Sequence, residues 1–445
     1  MNLRERLNKH LGSEKKRQEI DRHTIKSDEV KKEKIELLRK QLAELDRSFQ
    51  NRQAKKEPVF ERAELFTVVP GGQYVETPYG PCFISTISMD LGEFHGYRRL
   101  REFLSVDGES IACITGDQKL INLKPEKCLL LDTETTGLAG GTGSYAFLIG
   151  LGYIEERRFV TSQIFMRDYS EEGAALHVLA TLASRFENLI TFNGKTFDVG
   201  LLATRFTINR MRDPISSFPH LDLLHPCRGI YRHRLPDCRL STLESQILGI
   251  KRLNDISGEE IPPLYFRYVR ERDANLVKRI FEHNRFDVIS LVSLAAQLYA
   301  LLKISPDCDA APADLLGLGL LISNHGNIER AINILELALR TSDDVLIRNS
   351  ARHNLIIAHK RRERYEDAAG LCQNWLKEDP EPFDAVPYEE LAKHMEHRLH
   401  DFREALLFTE EALKHCSDLI TREALEHRRF RLIRRLENNS DLHVE

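Results

Sequence analysis

The chain has 445 residues, of which 42% are apolar and 30% charged. At roughly 150 residues per domain, that is room for about three domains with ordinary globular cores. The 64 Lys/Arg and 68 Asp/Glu side chains give a net charge of -4, which excludes a polycationic coat and confines any phosphate-binding surface to a local patch.

Residues 1–57 carry 17 Lys/Arg and 11 Asp/Glu, with Leu37, Leu38, Leu42 and Leu45 as a thin helical stripe. The expectation is a charged, partly helical or disordered tail; a basic arm toward nucleic acid or a partner is the sharper alternative. The N-terminus has no apolar signal core, and the eight cysteines include no CxxC pair, so a reducing cytoplasm is expected. Residues 58–127 read as a small β-containing region. Runs such as 66–69 (FTVV) and 82–87 (CFISTI) are separated by Pro70-Gly71-Gly72 and Tyr79-Gly80-Pro81.

Residues 128–305 alternate strand and helix patterns. Cys128–Leu131 reads as a buried central strand, followed by strands at Tyr145–Ile154 and Phe159–Met166 and a helix over 171–187. A short strand at Leu189–Phe192, a helix from Phe197 to Asn209, a strand at His220–Leu224 and a long helix from Leu276 to Leu302 complete an α/β domain with a mixed sheet. The most apolar stretch, Leu291–Leu302, falls short of the roughly 20 residues a membrane span needs. In residues 312–435, Ile328-Glu329-Arg330-Ala331, Tyr365-Glu366-Asp367-Ala368 and Phe402-Arg403-Glu404-Ala405 recur every 37 residues. Ala338, Trp375 and Ala412 follow seven residues after each Ala. Small residues at successive turns predict closely paired helices in a tetratricopeptide-like array.

Three segments carry chemistry. In Asp132-Thr133-Glu134 the two carboxylates lie i, i+2 on one side of a strand. Converging carboxylates need a cation between them, and hard oxygen ligands select Mg2+ or Mn2+. Asn193-Gly194-Lys195-Thr196-Phe197-Asp198 lies where a strand gives way to a helix, so Asp198 reaches the sheet's end. Its GKT is no phosphate cradle, because Leu189 stands where a P-loop needs glycine. His283 and Asp287 are four apart on one helix face, and a neutral imidazole there is a candidate proton acceptor.

In that order, DxE, NxxxFD and HxxxD, the chain resembles the DEDD superfamily of exonucleases, of the DnaQ-like (ribonuclease H-like) fold and the subtype with His in the third motif. Through Gly137–Gly150, His220–Pro226 and Cys238–Glu244 it is similar to the bacterial YprB-type mitomycin-repair exonucleases, over about residues 60–305. Helical repeats are also a feature of that family. The resemblance implies that Asp132, Glu134, Asp198 and Asp287 hold two divalent ions and that His283 is the general base. It also implies 3′-5′ hydrolysis of DNA, crosslink repair beside a helicase, and a protein partner on the repeats. A membrane role is not expected.

Several residues are left more open. Asn193 either fixes the loop before Asp198 or touches substrate. The small-residue loop around Gly143, reached from Thr135, allows a terminal sugar or base close to the backbone, or is an ordinary turn. Arg228, Tyr231, Arg232 and Arg234, with Arg205, Arg210 and Arg212 upstream, form a candidate phosphate track with a stacking ring, or a solvated basic surface. Asp222, a fifth acid, reads as structural. His220, His225, Cys227, His233 and Cys238 lack the short spacing of a zinc site. An RNA-processing exonuclease has the same site chemistry, and a non-catalytic adaptor using the repeats is the alternative from a different class.

Overall fold

The computed structural model describes residues 63–137, 143–303, 310–379 and 381–441, without the side chains of 439–441. The expected N-terminal tail and positions 138–142 of the small-residue loop lie outside the described residues. In chain order the elements begin with α1 (Leu65–Val68), β1 (Gly72–Thr77), β2 (Gly80–Asp90), β3 (Phe94–His95), β4 (Arg98–Arg99) and α2 (Gly108–Thr115). The chain continues as β5 (Cys128–Thr135), β6 (Ala146–Glu155), β7 (Arg158–Phe165), α3 (Glu172–Ala183), β8 (Asn188–Thr191), α4 (Asp198–Ile208) and β9 (His220–Asp222). Then come α5 (Leu224–Tyr231), α6 (Leu240–Leu243), α7 (Ile261–Glu271) and α8 (Asn275–Leu302).

Seven strands make one mixed sheet in the order β1-β2-β7-β6-β5-β8-β9. β8 and β9 run parallel to β5; the other neighbours are antiparallel. Of the strands in the 58–127 segment, β1 and β2 thus extend the edge of this same sheet, while β3 and β4 pair with each other as a separate ribbon. The FTVV run is not a strand but lies within and just after α1. Leu65 and Val69, four apart, bury one face of that turn, and Pro70-Gly71 ends it.

Both faces of β5 are covered. Leu129 and Leu131 pack with α3, α4 and α7; Cys128 and Leu130 pack with α2, α5 and the end of α8. A strand alternates its side chains, so a strand buried on both faces reads as one apolar run. α8 joins the two cores. Val277, Ile280 and Phe281 lie in the first, and Val288 through Leu302 in the second. Its 28 residues make it the one described helix long and apolar enough to cross a membrane, but it is mostly buried against the sheet.

Beyond position 310 the described chain is all helical: α9 (Pro312–Asn324), α10 (Ile328–Thr341), α11 (Val345–Arg361), α12 (Tyr365–Glu378), α13 (Ala385–His394), α14 (Phe402–His415) and α15 (Leu419–Asp441). Consecutive helices pack on one another along the chain. Each 37-residue sequence repeat opens every second helix, at Ile328, Tyr365 and Phe402. The repeat positions Ala331, Ala338, Ala368, Trp375, Ala405 and Ala412 are all buried.

Candidate active site

The half of β5 beyond its apolar run carries Asp132 and Glu134, opposite Gly150 and Leu148 of β6. Asp198 is the first residue of α4. The loop leading to it is held from β9, because Asp222 accepts the backbone N–H groups of Asn193 (2.7 Å), Lys195 (3.0 Å) and Leu224 (3.1 Å). Asp222 is therefore a buried loop anchor. Asn193 takes the left-handed conformation (φ 64°), a position Asn tolerates better than most residues. The Thr133 hydroxyl donates to Asp198 Oδ1.

α8 supplies the third side of the site where it passes between the two cores. His283 Nε2 lies 4.0 Å from Glu134 Oε1 and 3.5 Å from Asp287 Oδ2. Among the described residues, Glu134, His283 and Asp287 are the group whose donor atoms lie within 4.8 Å of one another. Asn284, one residue on, donates to Asp132 Oδ2 at 2.9 Å and accepts from Gln163 Nε2 at 2.9 Å. On its far side, His283 Nδ1 meets Asp255 Oδ1 at 2.8 Å. Arg252 Nη1 also lies 3.3 Å from Nδ1, so this nitrogen is held between a guanidinium and a carboxylate while Nε2 faces Glu134 and Asp287.

The electrostatics are those of crowded acids. Burial, then the charges of Asp287, Glu134 and Asp198, push the Asp132 carboxyl well above its ordinary range. Burial likewise raises Glu134 to about 8 against the pull of His283, and Asp198 to about 6 against the Thr133 hydrogen bond. Burial alone would lower His283, but Asp287, Glu134 and Asp255 outweigh it and raise it. Glu134 and Asp287 with His283 form the compact donor group, Asp132 and Asp198 add their charges to it, and the repulsion of such crowded acids is relieved when a divalent cation sits among them. The residues present therefore fit such an ion.

Sequence reasoning missed several residues here. Arg252 bridges Glu244 and Asp287, and Asp255 orients His283. Both sit in an irregular loop where no periodicity marks them. Asn284 stands beside His283 in the sequence, whereas the place of Gly150 across from Asp132 emerges only from the strand register. A Cβ at Gly150 would stand 2.2 Å from Asn284 Oδ1, so only glycine lets Asn284 reach Asp132.

Parts of the expected substrate track are corrected. Residues 224–231 form a helix, with Leu224, Cys227, Ile230 and Tyr231 burying one face. Tyr231 is fully buried and cannot stack on a base. Arg234 is forked onto Asp314 of α9 at 2.9 and 2.6 Å. Arg205 is buried, forked onto Glu172 and stacked on Tyr145. Arg228 and Arg232 remain exposed. Thr135 donates to the Gly137 carbonyl at 2.9 Å, closing the turn after β5, and Gly143 is exposed with open space around it.

Comparison with known proteins agrees with this fold. Residues 129–299, which span β5 to α8, match the RNase H superfamily. The chain is 30% identical over 403 residues to the uncharacterized protein YprB of Bacillus subtilis (strain 168), covering 88% of this chain and 95% of that protein. The chain thus belongs to the YprB family, built around a ribonuclease H-like domain.

Proposed function

We propose that the protein is a divalent-metal-dependent exonuclease of the DEDDh type that hydrolyses phosphodiester bonds, with DNA the favoured polymer. The observation that carries this reading is the compact group of Glu134, His283 and Asp287, with Asp132 close enough to feel the charges of Glu134, Asp198 and Asp287. These four carboxylates would hold Mg2+ or Mn2+, two ions by the family resemblance. The chemistry supplied by the loaded site is electrostatic stabilisation of the negative charge that develops on the phosphoryl group.

The chain's own groups do the rest. His283 Nε2 takes a proton from the attacking water. Asp255 keeps the imidazole in the competent tautomer and balances the imidazolium that results. Asn284 fixes the rotation of Asp132, and Thr133 that of Asp198. The 3′-5′ polarity, the role in crosslink repair beside a helicase, and the helical region as a tetratricopeptide-like platform for that partner are further parts of the proposal. They draw on the family resemblance, and the 37-residue repeat supports the last of them.

Digestion of matched DNA and RNA oligomers, labelled at either end, with Mg2+, Mn2+ or chelator tests the reading. Mononucleotides released stepwise from the 3′ end, lost in D132A, are expected. D132A cleaving as fast as wild type would sink it. Faster digestion of the RNA strand would move the protein to RNA processing, since the site chemistry serves either polymer.

A further inference from the structure

The loop between α6 and α7 is pinned to the site: Arg279 donates to the backbone carbonyls of Asn254 (2.9 Å) and Asp255 (2.7 Å). From this loop Arg252 reaches inward, and its side chain is only 11% exposed. Its Nη2 donates to Glu244 Oε1 and to Asp287 Oδ1, and its Nη1 to Asp255 Oδ2 at 3.1 Å. Glu244 is itself 2% exposed and accepts from Ser290 Oγ at 2.5 Å, which in turn lies 2.9 Å from His95 Nε2. The guanidinium is thus tied to the protein's interior on one side and to the site on the other.

Resting on the metal-dependent reading above, we infer that Arg252 is a positioning residue that sets both the Asp287 carboxylate and the His283 imidazole. Asp287 has two oxygens. Arg252 occupies Oδ1, which fixes the rotation of the group and leaves Oδ2 facing His283 Nε2 at 3.5 Å. The same guanidinium holds Asp255, which meets His283 Nδ1, and its own Nη1 lies 3.3 Å from that nitrogen. One side chain therefore governs a candidate metal ligand and the candidate base together. The task needs a planar fork with several donors in fixed directions; the point charge of lysine satisfies one acceptor at a time.

Two other roles for Arg252 predict different results. A guanidinium that merely competed with cations for Asp287 would strengthen ion binding when removed. One that swung out to a substrate phosphate would change KM alone.

The test is Mn2+ titration calorimetry on the full-length protein, paired with steady-state kinetics on an oligonucleotide, for wild type, R252Q, R252K and E244Q. Loss of an outer contact to a metal ligand costs roughly 10–100-fold in affinity or activity. R252Q and R252K are expected to weaken Mn2+ binding by about that factor, with a fall in kcat and little change in KM. E244Q loosens the same anchor and should shift Mn2+ affinity in the same direction by less, which keeps the inference testable if R252Q does not fold. Variants that bind Mn2+ as tightly as wild type or more tightly, an R252K indistinguishable from wild type, or a rise in KM alone would overturn the assignment. Wild-type protein that binds no Mn2+ would instead sink the nuclease reading itself.

Discussion

His283 is placed between two kinds of carboxylate. Glu134 and Asp287 face Nε2, and Asp255 meets Nδ1. Replacing Asp255 by Asn removes the charge that steadies an imidazolium and frees the ring to flip, while every candidate metal ligand stays in place. D255N should lower kcat roughly 10–100-fold with Mn2+ affinity unchanged; kinetics beside calorimetry check this. A second expectation concerns protons. Glu134 at about 8 and Asp198 at about 6 lie above their ordinary values, so the metal-free folded chain holds protons that the unfolded chain releases. His283 is also raised. All three shifts have one sign: stability is greatest at low pH within the window and falls as pH climbs from about 4 to 8. In chelator the melting temperature should drop across that range, and added Mg2+ should recover most at the upper end; a melting temperature flat in pH would contradict the crowding of acids. Asp132 with Glu134, and His283 with Asp287, stood out as candidates because each pair has a short spacing on one strand or one helix face, whereas Asp198 was marked only by the order of the motifs. Arg252 and Asp255 did not stand out, since a loop imposes no period and their roles arise only when α8 closes over it.

The elements were legible where burial imposes a period. β5 and α8 read plainly, one as an unbroken apolar run and the other as a long apolar helix. The FTVV run misled because three apolar residues among four fit a strand or a single helical turn equally, and Pro70-Gly71 stops either. The basic segment at 228–239 misled because its charges hide an apolar face of α5 that carries Cys227, Ile230 and Tyr231 inward. At this scale the pairing of β6 with α8 makes a sharp prediction. Gly150 and Gly152 both lie on β6 beneath α8. A Cβ at Gly150 meets Asn284, at 2.2 Å from Oδ1, whereas one at Gly152 meets Val288 and Phe159, at 2.6 and 2.9 Å. Each alanine substitution overpacks a buried contact and should cost about 1–3 kcal/mol in denaturant unfolding. Only G150A displaces the amide that holds Asp132. G150A should therefore lose most nuclease activity at temperatures where it is still folded, and G152A should keep it. Equal activity in the two would mean that Asn284 does not govern Asp132.

Across the whole molecule, the helical region is attached to the ribonuclease H-like domain by close backbone approach as well as by side chains. A Cβ on Gly317 of α9 would stand 2.1 Å from the Ile230 carbonyl oxygen of α5, so the helices touch main chain to main chain there. One turn earlier on α9, Asp314 takes the fork of Arg234, and farther on Arg330 donates to the Leu302 carbonyl at 2.7 Å. Leu318, Ile322 and Ala331 share a core with Cys128 and Leu130 of β5. The repeat spacing foretold the helix pairs, but nothing in it foretold this docking, because a glycine reads as a helix weakness until its neighbour is known. Continuity of the core means that the two regions should unfold together. Trp375, the single tryptophan of the chain, lies buried in the helical region and reports on that region alone. In wild type, melting followed by Trp375 fluorescence and by far-ultraviolet circular dichroism should coincide, as a cooperative transition requires. G317V would force α9 away from α5 and strand the Arg234–Asp314 pair at a parted interface. Its Trp375 transition should then fall below the main circular-dichroism transition, while cleavage by the still-folded sheet domain survives between the two temperatures. Coincident transitions in G317V, shifted or not, would mean that the contact at Ile230 does not carry the coupling and that the shared apolar core alone does.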